Sequence, residues 1–141
     1  MRVWYSNHSG LENSTISTNY ENIPNFQVLT ITPDILTEDI TSSSTQQNVL
    51  ITLTIPDAWM TSNSKSDSAT TWSWFAIDVN EHIVTQCVYS ATQSQQVPVT
   101  VSAYLPLNAG ETYNICAKWK TDGGKLYIGS STATLSVVNA I

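Results

Sequence analysis

The sequence predicts an all-β protein, built as an antiparallel two-sheet sandwich of about eight strands. Most segments alternate between apolar and polar residues, a pattern typical of strands with one dry and one solvated face. Helical periodicity is absent, apart from one short turn at 32–39, where Thr32 is a candidate cap and Pro33 suits the first helical position. The 141 residues, 41% of them hydrophobic, suit a single domain with its own core.

Turn residues separate the predicted strands. Asn80 and Glu81 form a two-residue hairpin turn, in which Asn80 tolerates a left-handed backbone. Gly-rich turns follow at 108–110 and 121–124, and polar surface loops are expected at 37–47, 61–70 and 90–96. The strands cover 26–32, 48–55, 71–79, 82–90, 97–107, 112–120, 125–130 and 133–140, with a ninth candidate at 2–5.

Alternation assigns faces to the later strands. In 97–107 the valines at 97, 99 and 101 share one face with Ala103 and Leu105, whereas Thr100, Ser102 and Tyr104 share the other. In 112–120 the odd-numbered residues from Tyr113 to Trp119 form the more apolar face. Residues 1–22 fit no such pattern, and we interpret them as an N-terminal arm or an extra strand, followed by the sandwich domain over 23–141.

The acidic composition of the chain narrows the classes of partner that it can bind. The formal net charge is −6 and the chain has five Lys and Arg residues, so no basic patch is expected for nucleic acid or for an anionic membrane surface. No apolar run reaches the roughly 20 residues that span a bilayer, and the first ten residues contain no secretory apolar segment. We expect a chain that stays in the cytoplasm, has lost a signal, or leaves the cell by another route, such as assembly into a virus particle.

Residues suited to catalysis are sparse, and we expect no catalytic residue, cofactor or metal site. Neither His8 nor His82 lies in a motif for a nucleophilic triad, and His82 beside Glu81 is best interpreted as a solvated turn residue. Most carboxylates fall at predicted turns. Asp78 lies inside a strand, either as a residue of the wet face or, less favoured, as a ligand for a cation near a symmetry axis.

The sequence does not decide the state of the two cysteines or the use of two glycosylation sequons. Cys87 and Cys116 fall in different predicted strands and are either buried small side chains or one disulfide. Asn7 and Asn13 begin glycosylation sequons, which matter if the chain meets the glycosylation machinery.

The tryptophans are the principal candidates for a binding surface. Trp72 and Trp74 share one face of the strand at 71–79, whereas the other face continues an apolar pattern suited to the interior: Ser73, Phe75, Ile77 and Val79. An outward tryptophan pair indicates an interface, either with another subunit or with a glycan, in the latter case together with Trp59. Burial of all the rings in one monomer's core is the remaining alternative.

The stretch from Leu105 to Ala140 resembles the closing half of the trimeric jelly rolls of the tumour necrosis factor and complement type, and the resemblance as a whole covers about two thirds of the chain. The resemblance rests on the segments Ala109–Gly110, Trp119–Lys120, Asp122–Gly124 and Leu135–Val138, and on the hairpin over 75–84. It implies a jelly-roll sandwich that assembles as a homotrimer for recognition or surface display, as in viral decoration and fibre-head proteins. It implies no catalysis.

We therefore expect a non-enzymatic virion structural protein, assembled in the host cytoplasm and displayed on the virion surface. Its function would be capsid decoration or host attachment as a fibre or spike. Its partners would be two copies of itself, capsid or other virion proteins, and a host glycan or receptor. The alternative is a secreted carbohydrate-binding module that uses Trp59, Trp72 and Trp74, with a glycosidase as a distant third.

Overall fold

Eleven β-strands make up the regular structure of the described residues. The computed structural model describes residues 2–8, 10–34, 46–61, 71–91 and 96–139. Within those ranges there is no helix long and apolar enough to cross a membrane. The strands are β1 Arg2–Asn7, β2 Asn13–Thr15, β3 Glu21–Asn22, β4 Leu29–Ile31, β5 Gln46–Thr61, β6 Thr71–Val79, β7 His82–Ala91, β8 Val97–Asn108, β9 Tyr113–Thr121, β10 Lys125–Ile128 and β11 Thr134–Asn139.

The strands form two antiparallel sheets. In the first sheet, β5 pairs with β8 on one side and with β11 and β10 on the other, β1 pairs with β11, and β2 pairs with β10. In the second sheet, β9 pairs with β6 on one side and with β3 and β4 on the other, and β7 pairs with β6. The predicted two-sheet antiparallel sandwich is confirmed.

The pairing order makes this sandwich a jelly roll. Four strand pairs are nested in sequence: β1 with β11, β4 with β9, β5 with β8, and β6 with β7 at the centre. Successive pairs lie in alternate sheets, as when one long antiparallel ribbon is rolled on itself. Two segments far apart in sequence thereby become neighbours, since β1 and β11 join the two ends of the chain.

One core fills the space between the sheets. Its largest fully buried side chains are Trp119, Phe75, Met60 and a set of isoleucines and leucines. Trp119 and Phe75 contact each other with ring centroids 6.4 Å apart. The predicted inward faces of β6, β8 and β9 supply much of this core: Phe75, Ile77, Val79, Val99, Val101, Ile115, Ala117 and Trp119 are buried.

β4 and β5 differ most from their predicted bounds. β5 continues to Thr61 instead of ending at 55, because the register shifts between Ile55 and Ala58 and Pro56 lies in this irregularity, outside the ladder pairs. β4 covers only Leu29–Ile31 of the predicted 26–32. The turn expected at 32–39 has no helix at 32–34, and its remainder lies outside the described residues.

The N-terminal segment belongs to the sandwich as far as the structure describes it. β1 pairs with β11 over six residues, β2 with β10, and β3 with β9. β1 includes the candidate strand predicted at 2–5 and extends it to Asn7. The short strands β2 and β3 escaped prediction because two or three residues carry no periodic signal.

The hairpin turn predicted at residues 80–81 is present. Asn80 and Glu81 have φ values of 50° and 69°, as a tight turn between β6 and β7 requires. Asp78 Oδ1 accepts a hydrogen bond from Glu81 N at 2.9 Å. Asn80 Oδ1 accepts one from Asn114 N at 2.8 Å, which fixes the turn against β9. This turn lies beside the polar concavity described below.

Candidate functional site

Trp72 and Trp74 lie on the outer face of the second sheet. Ser73 and Phe75, which alternate with them along β6, are fully buried. Trp72 is 47% exposed, and Val88 of β7, which faces Trp74 across the strands, is 53% exposed. We call Trp72, Trp74, Val88, Tyr20 and Lys120 the tryptophan surface.

Lys120 covers part of that surface. Its Nζ lies 4.5 Å from the ring centroid of Tyr20 and 4.8 Å from that of Trp74, so the ammonium contacts two aromatic faces. Tyr20 Oη donates a hydrogen bond to Gln86 Oε1, which fixes the tyrosine across the sheet. Trp74 therefore already has a partner for one ring face, and Trp72 offers the more accessible ring.

Because Tyr20 is part of this contact, we expect the protein to lose stability at alkaline pH. Burial, together with the neighbouring Cys87, raises the pKa of Tyr20 to about 12. In the unfolded chain the Tyr20 phenol ionises near pH 10. The contribution of neutral Tyr20 to the free energy of unfolding is therefore complete below pH 10 and is lost as the pH rises to about 12. We expect Tyr20→Phe to flatten the decline in the urea midpoint across this range. An unchanged pH profile in Tyr20→Phe would show that Tyr20 is not responsible.

Trp59 lies elsewhere in the fold. It belongs to β5 in the first sheet, where its ring stacks on Tyr127 of β10 at a centroid distance of 5.1 Å and an angle of 3°. Lys125 Nζ lies 5.2 Å from the Tyr127 centroid on the same sheet. The structure thus brings Trp72 and Trp74 together, whereas Trp59 forms a separate aromatic pair.

The outer face of the first sheet carries an apolar row that crosses four strands. Val3, Val138, Leu50 and Tyr104 face one another in successive pairs from β1 through β11 and β5 to β8. Leu50 is 41% exposed, Val3 50% and Tyr104 71%. The next two rows contain no charged side chain: Tyr5, Ser136, Thr52 and Ser102, then Asn7, Thr134, Thr54 and Thr100.

We call these three rows the uncharged face. Sequence reasoning did not find it, because each strand contributes one or two outward apolar residues and only the register aligns them. The outward position of Tyr104 was the one local signal.

The two cysteines are free thiols. Cys87 pairs with Phe75 and Cys116 with Asp78, on opposite sides of β6 and three residues apart along it. That geometry separates their Cα atoms by about 14 Å, well beyond disulfide reach. Burial raises the pKa of both thiols, so they are protonated and weakly nucleophilic at neutral pH.

The two histidines lie in different settings. His82 is exposed at the start of β7, as expected for a turn residue. His8 is buried, and its Nε2 lies 2.6 Å from Asn13 Oδ1. Across the described ranges, no group of three or more His, Cys, Asp or Glu residues could hold a metal ion.

The sequon asparagines differ in access. Asn7 is exposed on β1, and its Oδ1 accepts a hydrogen bond from Thr134 Oγ1 at 3.1 Å. Asn13 is half-buried and engaged with His8. Asn7 is therefore the more accessible acceptor.

Asp78 is buried on the outer face of the second sheet, where the sequence pattern predicts a wet residue. Its Oδ2 lies 3.3 Å from Lys118 Nζ, and its Oδ1 accepts the hydrogen bond from Glu81 N. An ammonium and a backbone amide thus fill the role that a bound cation would have.

Comparison with known proteins adds fold likeness alone. No protein-family model matches the chain, and no curated protein matches it. Among solved structures, it is similar to dimeric latent PorU from Porphyromonas gingivalis (8% identity, TM-score 0.43, 96% of this chain and 13% of that one). It is also similar to Eiger TNF from S. frugiperda (11% identity, TM-score 0.46, 99% and 93%). Neither likeness is close enough to bear on function.

Proposed function

We propose that this protein is a non-enzymatic jelly-roll protein of a virion surface, either decorating the capsid or tipping a fibre, and that it assembles as a homotrimer. The observation that carries the proposal is the uncharged face. Exposed apolar surface that spans several strands is uncommon on a monomer and indicates an interface. The face also lacks formal charge in a chain of net charge −6, so copies can approach there with the least repulsion.

The distribution of side chains on this face suits a cyclic assembly such as the proposed trimer. A cyclic trimer uses a heterologous contact, in which two unlike patches of each subunit meet. Tyr104 stands on β8 at one edge of the face, and Val3 and Tyr5 stand on β1 at the opposite edge. These two edges supply the unlike patches, and an exposed tyrosine suits the centre of such a contact.

A charged substitution on the face tests the assembly. Tyr104→Glu should convert the trimer to monomers, because it places one unpaired carboxylate in each of the three desolvated contacts. Tyr104 is 71% exposed in the single chain, so its own fold should tolerate the change. Solution mass by light scattering gives the readout.

Trp72→Glu is the matched control and should remain trimeric, because Trp72 lies on the other sheet. A wild-type chain that is monomeric at all concentrations contradicts the assembly. If Trp72→Glu or Trp74→Ala dissociates the particle and Tyr104→Glu does not, the subunit contact lies on the tryptophan surface instead.

The virion setting rests on the resemblance in the sequence and on an uncharged assembly face in a chain with only 11% charged residues. Capsid or tail genes beside the coding region would support it. Purified particles that lack the protein would contradict it. Under this proposal the particle forms in the host cytoplasm and then displays the protein outside the cell.

The exposure of Trp72 favours one second candidate, a carbohydrate-binding module. In that case glycans would shift the tryptophan fluorescence of a monomeric chain, and Trp72→Ala would abolish the shift. Trp59 would not belong to that binding surface, since it lies in the other sheet, stacked on Tyr127.

A further inference from the structure

A concavity of about 580 Å³ opens on the outer face of the second sheet, beside the turn at residues 80–81. It lies between the end of β6, the start of β9 and the segment that follows β3. Its size is typical of small-molecule sites. The lining residues are Asn22, Val28, Asp78, Asn80, Glu81, Asn114, Cys116 and Lys118.

The ion pair in this concavity is expensive to maintain. The Asp78 side chain is 3% exposed and that of Lys118 is 22% exposed. Removing both charges from water costs roughly what their attraction returns, so a buried pair contributes little net stability. Lys118 is the more exposed partner and lines the concavity, so its ammonium can also donate a hydrogen bond to a ligand there.

Amide side chains supply the remaining polar groups. Asn80 Oδ1 accepts from the Asn114 backbone, and Asn114 Oδ1 accepts from Thr30 Oγ1 at 2.9 Å. These bonds orient both amides, while the described residues provide no acceptor for either Nδ2 group. Asn22 adds a third amide, at the end of β3. The concavity thus presents fixed donors and acceptors side by side.

The chemistry of the lining narrows the ligand class. A phosphate or carboxylate requires unpaired cations, and the one ammonium here is matched by Asp78. A nucleobase requires an aromatic wall, and none of the lining residues is aromatic. Two carboxylates, Asp78 and Glu81, against one ammonium, Lys118, leave a formal charge of −1, which disfavours acidic ligands.

We propose that this concavity, which we call the Asp78 pocket, binds a neutral saccharide of one or two rings. A sugar ring presents hydroxyls that both donate and accept, which matches the amides and the ion pair, and a C–H face that can pack on Val28. The pocket is distinct from the tryptophan surface and requires no particular oligomeric state. Its failure would thus leave the trimer proposal intact.

Nuclear magnetic resonance of the ¹⁵N-labelled full chain tests the site, titrated with a panel of neutral mono- and disaccharides. We expect saturable shifts, in the millimolar range, of the Glu81 and Asn114 backbone amides, with unchanged indole N–H signals of Trp72 and Trp74. Asn22→Ala should weaken binding roughly 2- to 12-fold, the equivalent of one hydrogen bond. Asn48→Ala removes an exposed asparagine from the first sheet and should leave binding unchanged.

Three results would overturn the proposal. They are shifts confined to the Trp72 indole, no saturable shift with any sugar of the panel, and equal weakening by Asn22→Ala and Asn48→Ala. If Asn22→Ala does not fold, Asn22→Asp replaces it. That variant keeps the size and shape of the side chain but removes its two N–H donors, so it should weaken binding in the same way.

Discussion

Trp119→Ala should lower the free energy of unfolding by about 3–5 kcal/mol, a large share of the roughly 5–15 kcal/mol of a typical domain. Trp119 is fully buried, packs on Phe75, and donates a hydrogen bond from Nε1 to Glu21 Oε1 at 3.3 Å. Its loss leaves a cavity between the sheets and removes a link between β9 and β3. Urea unfolding at a fixed chain concentration measures the change, because an oligomer's stability depends on concentration.

Trp72→Ala is the matched control, since it deletes the same side chain from a position 47% exposed. It should cost under about 1 kcal/mol, as exposed substitutions commonly do. Trp119→Phe, which retains much of the ring volume, provides a measurable intermediate if the alanine variant does not fold. Equal losses in Trp119→Ala and Trp72→Ala would show that the core does not depend on Trp119.

Gly129→Ala should destabilise the fold by about 1–3 kcal/mol or more, because it places a methyl group where a carboxylate lies. A Cβ on Gly129 would lie 2.5 Å from Asp57 Cγ and 2.7 Å from Oδ1, and closer still to Oδ2. The backbone cannot easily retreat, since Gly129 N donates to Asp57 O at 3.1 Å. Thermal unfolding reports the loss.

Two variants separate the steric clash at Gly129 from other causes of destabilisation. Gly123 has a φ of 80°, but an added methyl group would meet no atom within 4 Å, so Gly123→Ala isolates the roughly 1–2 kcal/mol of a left-handed backbone. Asp57→Ala combined with Gly129→Ala should recover much of the loss, because the opposing carboxylate is gone. A double variant no more stable than Gly129→Ala alone would contradict the steric explanation.

Local sequence patterns were sufficient to predict most of the strands. Period-two alternation placed β6 through β9 within about a residue of their observed ends, because each has one face in the core and one in solvent. The hairpin at residues 80–81 followed from Asn80 in a left-handed turn. β5 was cut short at Pro56, since a bulge that accommodates proline is created by pairing with a distant strand.

The candidate surfaces were predictable only in part. The outward position of Trp72 and Trp74 followed from alternation along β6, and the structure adds Lys120 and Tyr20, which come from other parts of the chain. The separation of Trp59 from that pair was not predictable, because membership of one sheet or the other is a property of the topology. The distance of about 14 Å between the cysteines likewise depends on β6 lying between their strands.

The sequence by itself determined which residues of each strand face inward, because that choice depends only on the spacing of apolar side chains along a pleated chain. Tertiary structure alone decided which outward residues become neighbours. Val3 and Tyr104 meet Val138 and Leu50 in one row, and Asp78 meets Lys118 and three asparagines, through pairings between strands that are far apart in the sequence. Register across strands is a long-range property, and it creates both the uncharged face and the Asp78 pocket.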